Sequence, residues 1–197
     1  MITIRPADQD DAGQIAPLIN MIFDEMQLEE LDDIPEPDLE QAITAAYRTP
    51  DYLSGKATTV VAEADGQVVG VAFGYPDKNE DAVDDVLARV TANNDAFGSA
   101  FEAEAEAESY EHEWYLDSIA VDPNYQGHGI GGKLLAALPR YARQAGQKRI
   151  GLNVDMANLG AKKLYDRYHY ESVGIKPIGD RMYFHMQYEL DKDLVLA

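Results

Sequence analysis

Four glycines fall within six residues, Gly127, Gly129, Gly131 and Gly132, where a strand pattern ending at Val121 gives way to a helical one running to Gln144. Ile130, Leu134, Leu135 and Leu138 lie on one face of that helix. Glycine lets the backbone approach a ligand closely, and the amides at a helix start can hold an anion with help from the helix dipole. Four glycines at a helix start also weaken the helix, so a bound group should compensate. A strand, a glycine loop and a helix in this order require an α/β chain, and the loop points to phosphate.

The flanking residues predict one mixed α/β domain over 1–197, with no internal repeat. Ile2 to Arg5 reads as a strand, and Asp8, Asp10 and Asp11 suit a helix start. Ile15, Leu18, Ile19, Ile22, Phe23 and Met26 share a helical face, with Pro17 predicting a kink or a late start. Asp32 to Pro37 is a loop, and Leu39 to Tyr47 a second helix. Thr58 to Ala64 and Val68 to Tyr75, joined by Asp65-Gly66, form a hairpin. Arg149 to Val154, Tyr170 to Ile178 and Met182 to Leu190 are strands, and Asn158 to Tyr168 is a helix. The stretch 76–112 predicts a solvated acidic insertion, mobile or helical. Within it Asp81 to Ala92 can form a helix, and the Glu-Ala alternation of 102–108 favours helix over strand.

Three loop types share the letters around Gly127. Gly127-x-Gly129-x-x-Gly132 matches a dinucleotide fingerprint, and Asp155 lies 23 residues beyond Gly132, near the expected ribose-binding acid. Five residues separate strand from glycine, however, and the chain left over is short for a second nucleotide-binding half. Gly127-x-x-x-x-Gly132-Lys133 matches most of a P-loop, but Leu134 stands where a hydroxyl must hold magnesium. The third type is Gln-x-x-Gly-x-Gly, here Gln126-Gly127-His128-Gly129-Ile130-Gly131.

That third pattern, following Leu116-Asp117-Ser118-Ile119-Ala120-Val121-Asp122-Pro123, resembles the pyrophosphate loop of the Gcn5-related N-acetyltransferases (GNAT). Asn158-x-x-Ala161-x-x-Leu164-Tyr165 resembles the helix that follows in the same family, and the likeness covers nearly the whole chain except about 76–112. One departure is plain: His169-Tyr170 stands where the family usually has Gly-Phe, so the helix must close without glycine. The resemblance implies a mixed, mostly antiparallel sheet of about seven strands, splayed after the fourth and flanked by about four helices, with the acidic insertion between the third and fourth strands.

It also implies acetyl transfer from acetyl-CoA to a primary amine, directly within a ternary complex. Ile119, Ala120 and Val121 would pair with the pantetheine arm. The amides of Gly127, Gly129, Gly131 and Gly132, at the start of the helix opened by Ile130, would hold the pyrophosphate, with Gln126 and His128 at the rim. His128 also reads as a plain loop residue, and Lys133 as a phosphate partner or a surface lysine. Asn158 would bond the cofactor arm or cap its helix. Tyr165 would protonate the departing thiolate. The amine must lose a proton before it attacks, and Asp117, on the strand nearest the splay, is the expected base or water-positioning residue, with Glu113 as second choice.

Charge narrows the partners. Residues 1–112 carry 26 acids against 5 bases and residues 113–197 carry 10 against 11, for a net charge of −20. Acids in such excess disfavour nucleic acid and an anionic membrane. They leave the half that would hold CoA near neutral and make Asp24 to Glu40, the expected acceptor region, favour a cationic small-molecule or peptide amine over an anionic one. The four histidines, at 112, 128, 169 and 185, lack metal-ligand spacing, so no metal is expected. The absence of cysteine excludes disulfides and a thiol nucleophile. With no export-type apolar start, it fits a cytoplasmic protein. A homodimer is compatible with the family. A catalytically silent CoA-binding module and another nucleotide-binding protein are the competing readings.

Overall fold

The computed structural model describes residues 1–26, 31, 33–98, 100–101 and 107–191. Its strands are β1 (Ile2–Pro6), β2 (Thr58–Ala64), β3 (Gln67–Pro76), β4 (Trp114–Val121), β5 (Arg149–Asp155), β6 (Glu171–Ile178) and β7 (Arg181–Glu189). They form one seven-stranded sheet in the order β1-β2-β3-β4-β5-β7-β6. Every neighbouring pair is antiparallel except β4 and β5. Five α-helices accompany it among the described residues: α1 (Ala12–Met26), α2 (Glu36–Tyr47), α3 (Glu80–Thr91), α4 (Ile130–Gln144) and α5 (Leu159–Arg167).

Two cores lie on the two faces of the sheet, as period-two alternation requires. Val61, Val71 and Phe73 point toward α1, α2 and α3, whereas Val60, Ala62 and Val69 join α4 and α5. Asp65 and Gly66 both adopt positive φ, +50° and +82°, which is the turn geometry that matches the twist of a two-residue hairpin. Helix α1 continues through Pro17. Pro17 and Gly13, whose carbonyl loses its donor, both lie on the exposed side of α1, where water can replace the missing bond.

The stretch 76–112 does not read as solvated throughout. Val83, Val86 and Phe97 are buried in the same core as α1 and α2. The Tyr52 hydroxyl donates to the Val83 carbonyl oxygen at 3.2 Å. The acidic side chains of α3 mask an apolar face that packs. The Glu-Ala alternation of 102–106 lies outside the described residues.

The feature that shapes the cleft is where β4 and β5 part. β3 pairs with β4 as far as Gly70↔Val121, but β4 pairs with β5 only at Trp114↔Ile150 and Tyr115↔Gly151. β5 instead pairs along its length with β7. From Leu116 onward, one edge of β4 therefore faces an opening rather than another strand.

Candidate active site

That opening leads into a cavity of about 730 Å³. Ile19, Phe23, Tyr47, Tyr52 and Phe73 build an apolar and aromatic wall, while Asn158 and Tyr165 reach in from α5. Asp117, Ser118 and Ile119 of β4 form the floor. Tyr115, Asp117 and Ile119 all line the cavity, with Asp117 set as an extra residue between the Gly74↔Leu116 and Phe73↔Ser118 pairs, where the register against β3 shifts. Ala120 is buried in the core beneath α1 and α2, and Val121 is half-buried against the core beneath α4.

Tyr165 is buried, and the loss of solvent pushes its phenol up to about 12, so it keeps its proton at neutral pH. Asp117 is open to solvent through the cleft but enclosed by protein around it. It accepts from the Tyr75 hydroxyl at 3.2 Å and from the Ser118 hydroxyl at 2.6 Å. Desolvation raises its pKa, with the two hydrogen bonds opposing and the charge of Glu80 adding to the rise.

The sequence reading missed two further carboxylates. Glu108 and Asp84 also line the cavity, and each is raised to about 7, first by burial and then by the charge of Asp117. Buried Glu80 holds Glu108 in place by accepting from the Glu108 backbone N–H at 2.6 Å and from the backbone and side chain of Ser109. The only sequence signal for these residues was the helix available to Asp81 to Ala92, which placed Asp84 on an amphipathic element. Glu113, the second choice of base, is fully buried and does not line the cavity. Its carboxylate accepts from the Tyr110 N–H at 2.7 Å and the Gln187 amide at 2.8 Å, and it meets the His185 ring at 3.1 Å.

The glycine loop lies between β4 and α4. Gly127 and Gly129 adopt φ of +77° and +74°, and nothing lies within 4 Å of where their side chains would begin. Gly129 caps α4 without a side-chain bond, so the amides of Ile130, Gly131 and Gly132 open the helix uncapped. Gly131 is partly covered by Leu164, and Gly132 is buried beneath the Tyr168 hydroxyl, so Gly132 also serves the packing of α4 on α5. The Gln126 amide donates to the Val121 carbonyl oxygen at 3.1 Å. His128 Nδ1 faces the Tyr125 and Gln126 carbonyl oxygens at 3.2 and 2.9 Å, which ties this exposed ring to its own loop. Lys133 is exposed. Asn158 accepts from the Ala161 N–H at 3.0 Å and thus caps α5, with its side-chain amide nitrogen left over.

Two alternative loop readings end here. Asp155 is occupied, accepting from the Ala157 N–H at 2.8 Å and from Arg181 at 3.2 Å, and the sheet is not the parallel one of a dinucleotide fold. Leu134, at the P-loop hydroxyl position, is fully buried. The described residues hold no group of three His, Asp or Glu side chains suited to a metal ion. No described helix is long and apolar enough to cross a membrane.

The family model described as Acetyltransferase (GNAT) family matches residues 20–170. The chain belongs to that family. As a GNAT protein it is an acyltransferase by family. The chain is 26% identical to an uncharacterized N-acetyltransferase of Bacillus subtilis (strain 168), YhfO, over 86% of this chain and 90% of that protein. A solved structure described as an acetyltransferase is 36% identical, with a TM-score of 0.83, over 95% of this chain and 99% of its own. An N-acetyltransferase structure from Staphylococcus aureus Mu50 is 25% identical, with a TM-score of 0.80, over 94% and 100%.

Proposed function

We propose that this GNAT protein transfers the acetyl group of acetyl-CoA directly to a cationic primary amine within a ternary complex. The observation that carries this reading is the cleft between β4 and β5, where the phenol of Tyr165 and the carboxylates of Asp84, Glu108 and Asp117 line one cavity.

The open edge of β4 at Ile119 to Val121 offers backbone groups to the extended arm of the donor, and Asn158 has a side-chain donor to spare beside it. The uncapped amides of Gly131 and Gly132, with Gly127 and Gly129 giving close approach, suit the pyrophosphate. Gln126 and His128 shape the loop. β4 amides facing the opening stabilise the oxyanion that forms when the amine attacks the thioester carbon. Tyr165 donates its proton to the departing thiolate. Asp117, fixed by Tyr75 and Ser118, orients the water beside the acceptor's nitrogen.

The acceptor's charge follows from the wall opposite. Glu25, Asp84, Glu108 and Asp117 face the cavity, whereas Arg181, the one arginine lining it among the described residues, is paired with Asp155. A small amine or a lysine side chain with an aliphatic arm fits the aromatic wall, and its charge fits the acids. The absence of cysteine agrees with action in the cytoplasm.

The test is free-thiol release from acetyl-CoA with a panel of amines. Diamines and lysine peptides should turn over, and amines that carry carboxylates should not. Preferred turnover of the anionic set would overturn the acceptor class. Binding of CoA with no turnover of any amine would instead favour a silent CoA-binding module.

A further inference from the structure

A chain of hydrogen bonds runs from the cleft to the far side of β5, and the direction of each link from Glu108 to His185 Nδ1 is determined. The Asn153 side-chain nitrogen donates to the Glu108 backbone carbonyl oxygen at 3.1 Å, which can only accept. The same nitrogen donates to the Tyr115 hydroxyl at 3.0 Å, so that hydroxyl sends its own proton to Glu108 Oε2 at 2.7 Å. The oxygen of Asn153 then faces His185 Nδ1 at 2.7 Å, so Nδ1 carries a proton. His185 Nε2 meets Glu113 Oε2 at 3.1 Å, and that carboxylate already accepts from Tyr110 and Gln187. The ring itself is clamped, stacked on Tyr110 at 3.7 Å between centroids and 14° from parallel.

We propose that Glu108 is the carboxylate that takes the acceptor's proton, and that His185, acting through Asn153 and Tyr115, is its positioning residue. This rests on the cleft being the acetyl-transfer site. Glu108 suits the task better than Asp117, because both oxygens of Asp117 accept hydrogen bonds, whereas Tyr115 occupies only Oε2 of Glu108 and leaves Oε1 for the ammonium. The backbone of Glu108 is pinned at both ends, its N–H to Glu80 and its carbonyl to Asn153. In the step, an N–H bond of the ammonium breaks and an O–H bond forms on Glu108. The nitrogen lone pair then forms the C–N bond as the C–S bond breaks, the thiolate takes the Tyr165 proton, the acylated nitrogen loses its second proton through water to the Tyr165 phenolate, and Glu108 releases its proton to solvent, so that the amide, the free thiol and one proton leave.

The groups facing Glu108 are Tyr115 and Asp117 on β4, Glu80 and Asp84 on α3, Asn153 on β5 and Tyr183 on β7. Those facing His185 are Glu113, Asn153, Gln187 and Tyr110, with Lys176 over the Tyr110 ring. Acids dominate around Glu108 and hold its proton, so the Tyr115 hydroxyl is the group that favours its ionised form.

The experiment is a 13C titration of the Glu108 carboxyl in the full chain, alongside the pH dependence of kcat/KM. An asparagine at 185 can place a nitrogen where Nδ1 was, whereas a glutamine places one where Nε2 was. His185→Gln should raise the Glu108 midpoint by about one pH unit, through loss of an oriented donor to a charged group. His185→Asn should hold it near wild type. Tyr115→Phe, close in shape, should raise it as His185→Gln does even if a His185 variant fails to fold. Glu108→Gln should lower kcat/KM on the order of 100-fold and abolish the acid limb. Equal midpoints in wild type, His185→Gln and Tyr115→Phe overturn the positioning role. Full activity and an unchanged acid limb in Glu108→Gln overturn the proton-acceptor role. Midpoints that shift as expected in a protein that turns over no amine would instead contradict the acetyl-transfer reading and leave the hydrogen-bond chain standing.

Discussion

The carboxylate of Glu113 fills the space where a side chain at Gly151 would begin. Gly151 is the last β5 residue paired with β4, so the two strands part where a buried acid lies over a glycine. Gly151→Ala should push Glu113 off His185 and Gln187 and cost about 1–3 kcal/mol in urea unfolding, the usual range for overpacking a core. Gly160→Ala in α5, whose new methyl would meet only Asn158 Oδ1 at 3.7 Å, is the control and should be neutral or stabilising.

His169 supplies the left-handed turn that glycine usually provides after a helix. Its φ is +63°, and the bonds His169 N–H to Asp166 O and Tyr170 N–H to Tyr165 O close α5. His169 is exposed, so His169→Gly should relieve the backbone strain and stabilise the fold by about 0.5–1 kcal/mol, read as a rise in thermal midpoint.

Arg5 and Asp11 lock β1 to the entry of α1 through two bonds of 2.6 and 2.8 Å. The Arg5 guanidinium holds the buried Asp11 carboxyl below its ordinary range, with burial opposing. A carboxyl lowered on folding contributes stability above its unfolded value near 3.9, and the contribution is lost as pH falls through the folded value. Asp11→Asn should therefore cost about 1–3 kcal/mol at pH 7, and the gap to wild type should close below about pH 4.

Asp84 lines the cleft with a carboxyl raised to about 7 by burial and neighbouring acids. Its charge is present above that pH and lost below it, so KM for a cationic amine should rise as pH falls from 8 to 6. Asp84→Asn should flatten that rise and increase KM by roughly 3–10-fold at pH 8 with kcat little changed, as expected when binding alone is weakened.

Much of this was legible in the sequence. Period-two and helical spacing located all seven strands and most helices, and Asp65-Gly66 announced its turn. The glycine loop and the Asn158 to Tyr165 helix carried the family. What escaped was the identity of the acids in the cleft. Glu108 and Asp84 sit in a stretch so rich in acid that its composition reads as solvated surface; Val83 and Val86 packing in the core with α2 bring Asp84 inside, and Glu80, Tyr115 and Asn153 hold Glu108 there. Glu113 was misread because alternation along β4 says which face a residue takes but not that His185 and Gln187, more than 70 positions away, close over it. Asn153 and His185 gave no local signal, since their roles exist only through contacts between distant strands.

The most direct test of the central claim is the turnover number of Tyr165→Phe against wild type, measured as thiol release from acetyl-CoA with a saturating cationic diamine. The cleft-based account predicts a drop on the order of 100-fold in kcat with KM for acetyl-CoA little changed, because only the donor to the leaving thiolate is removed. Equal kcat in the two proteins would contradict it.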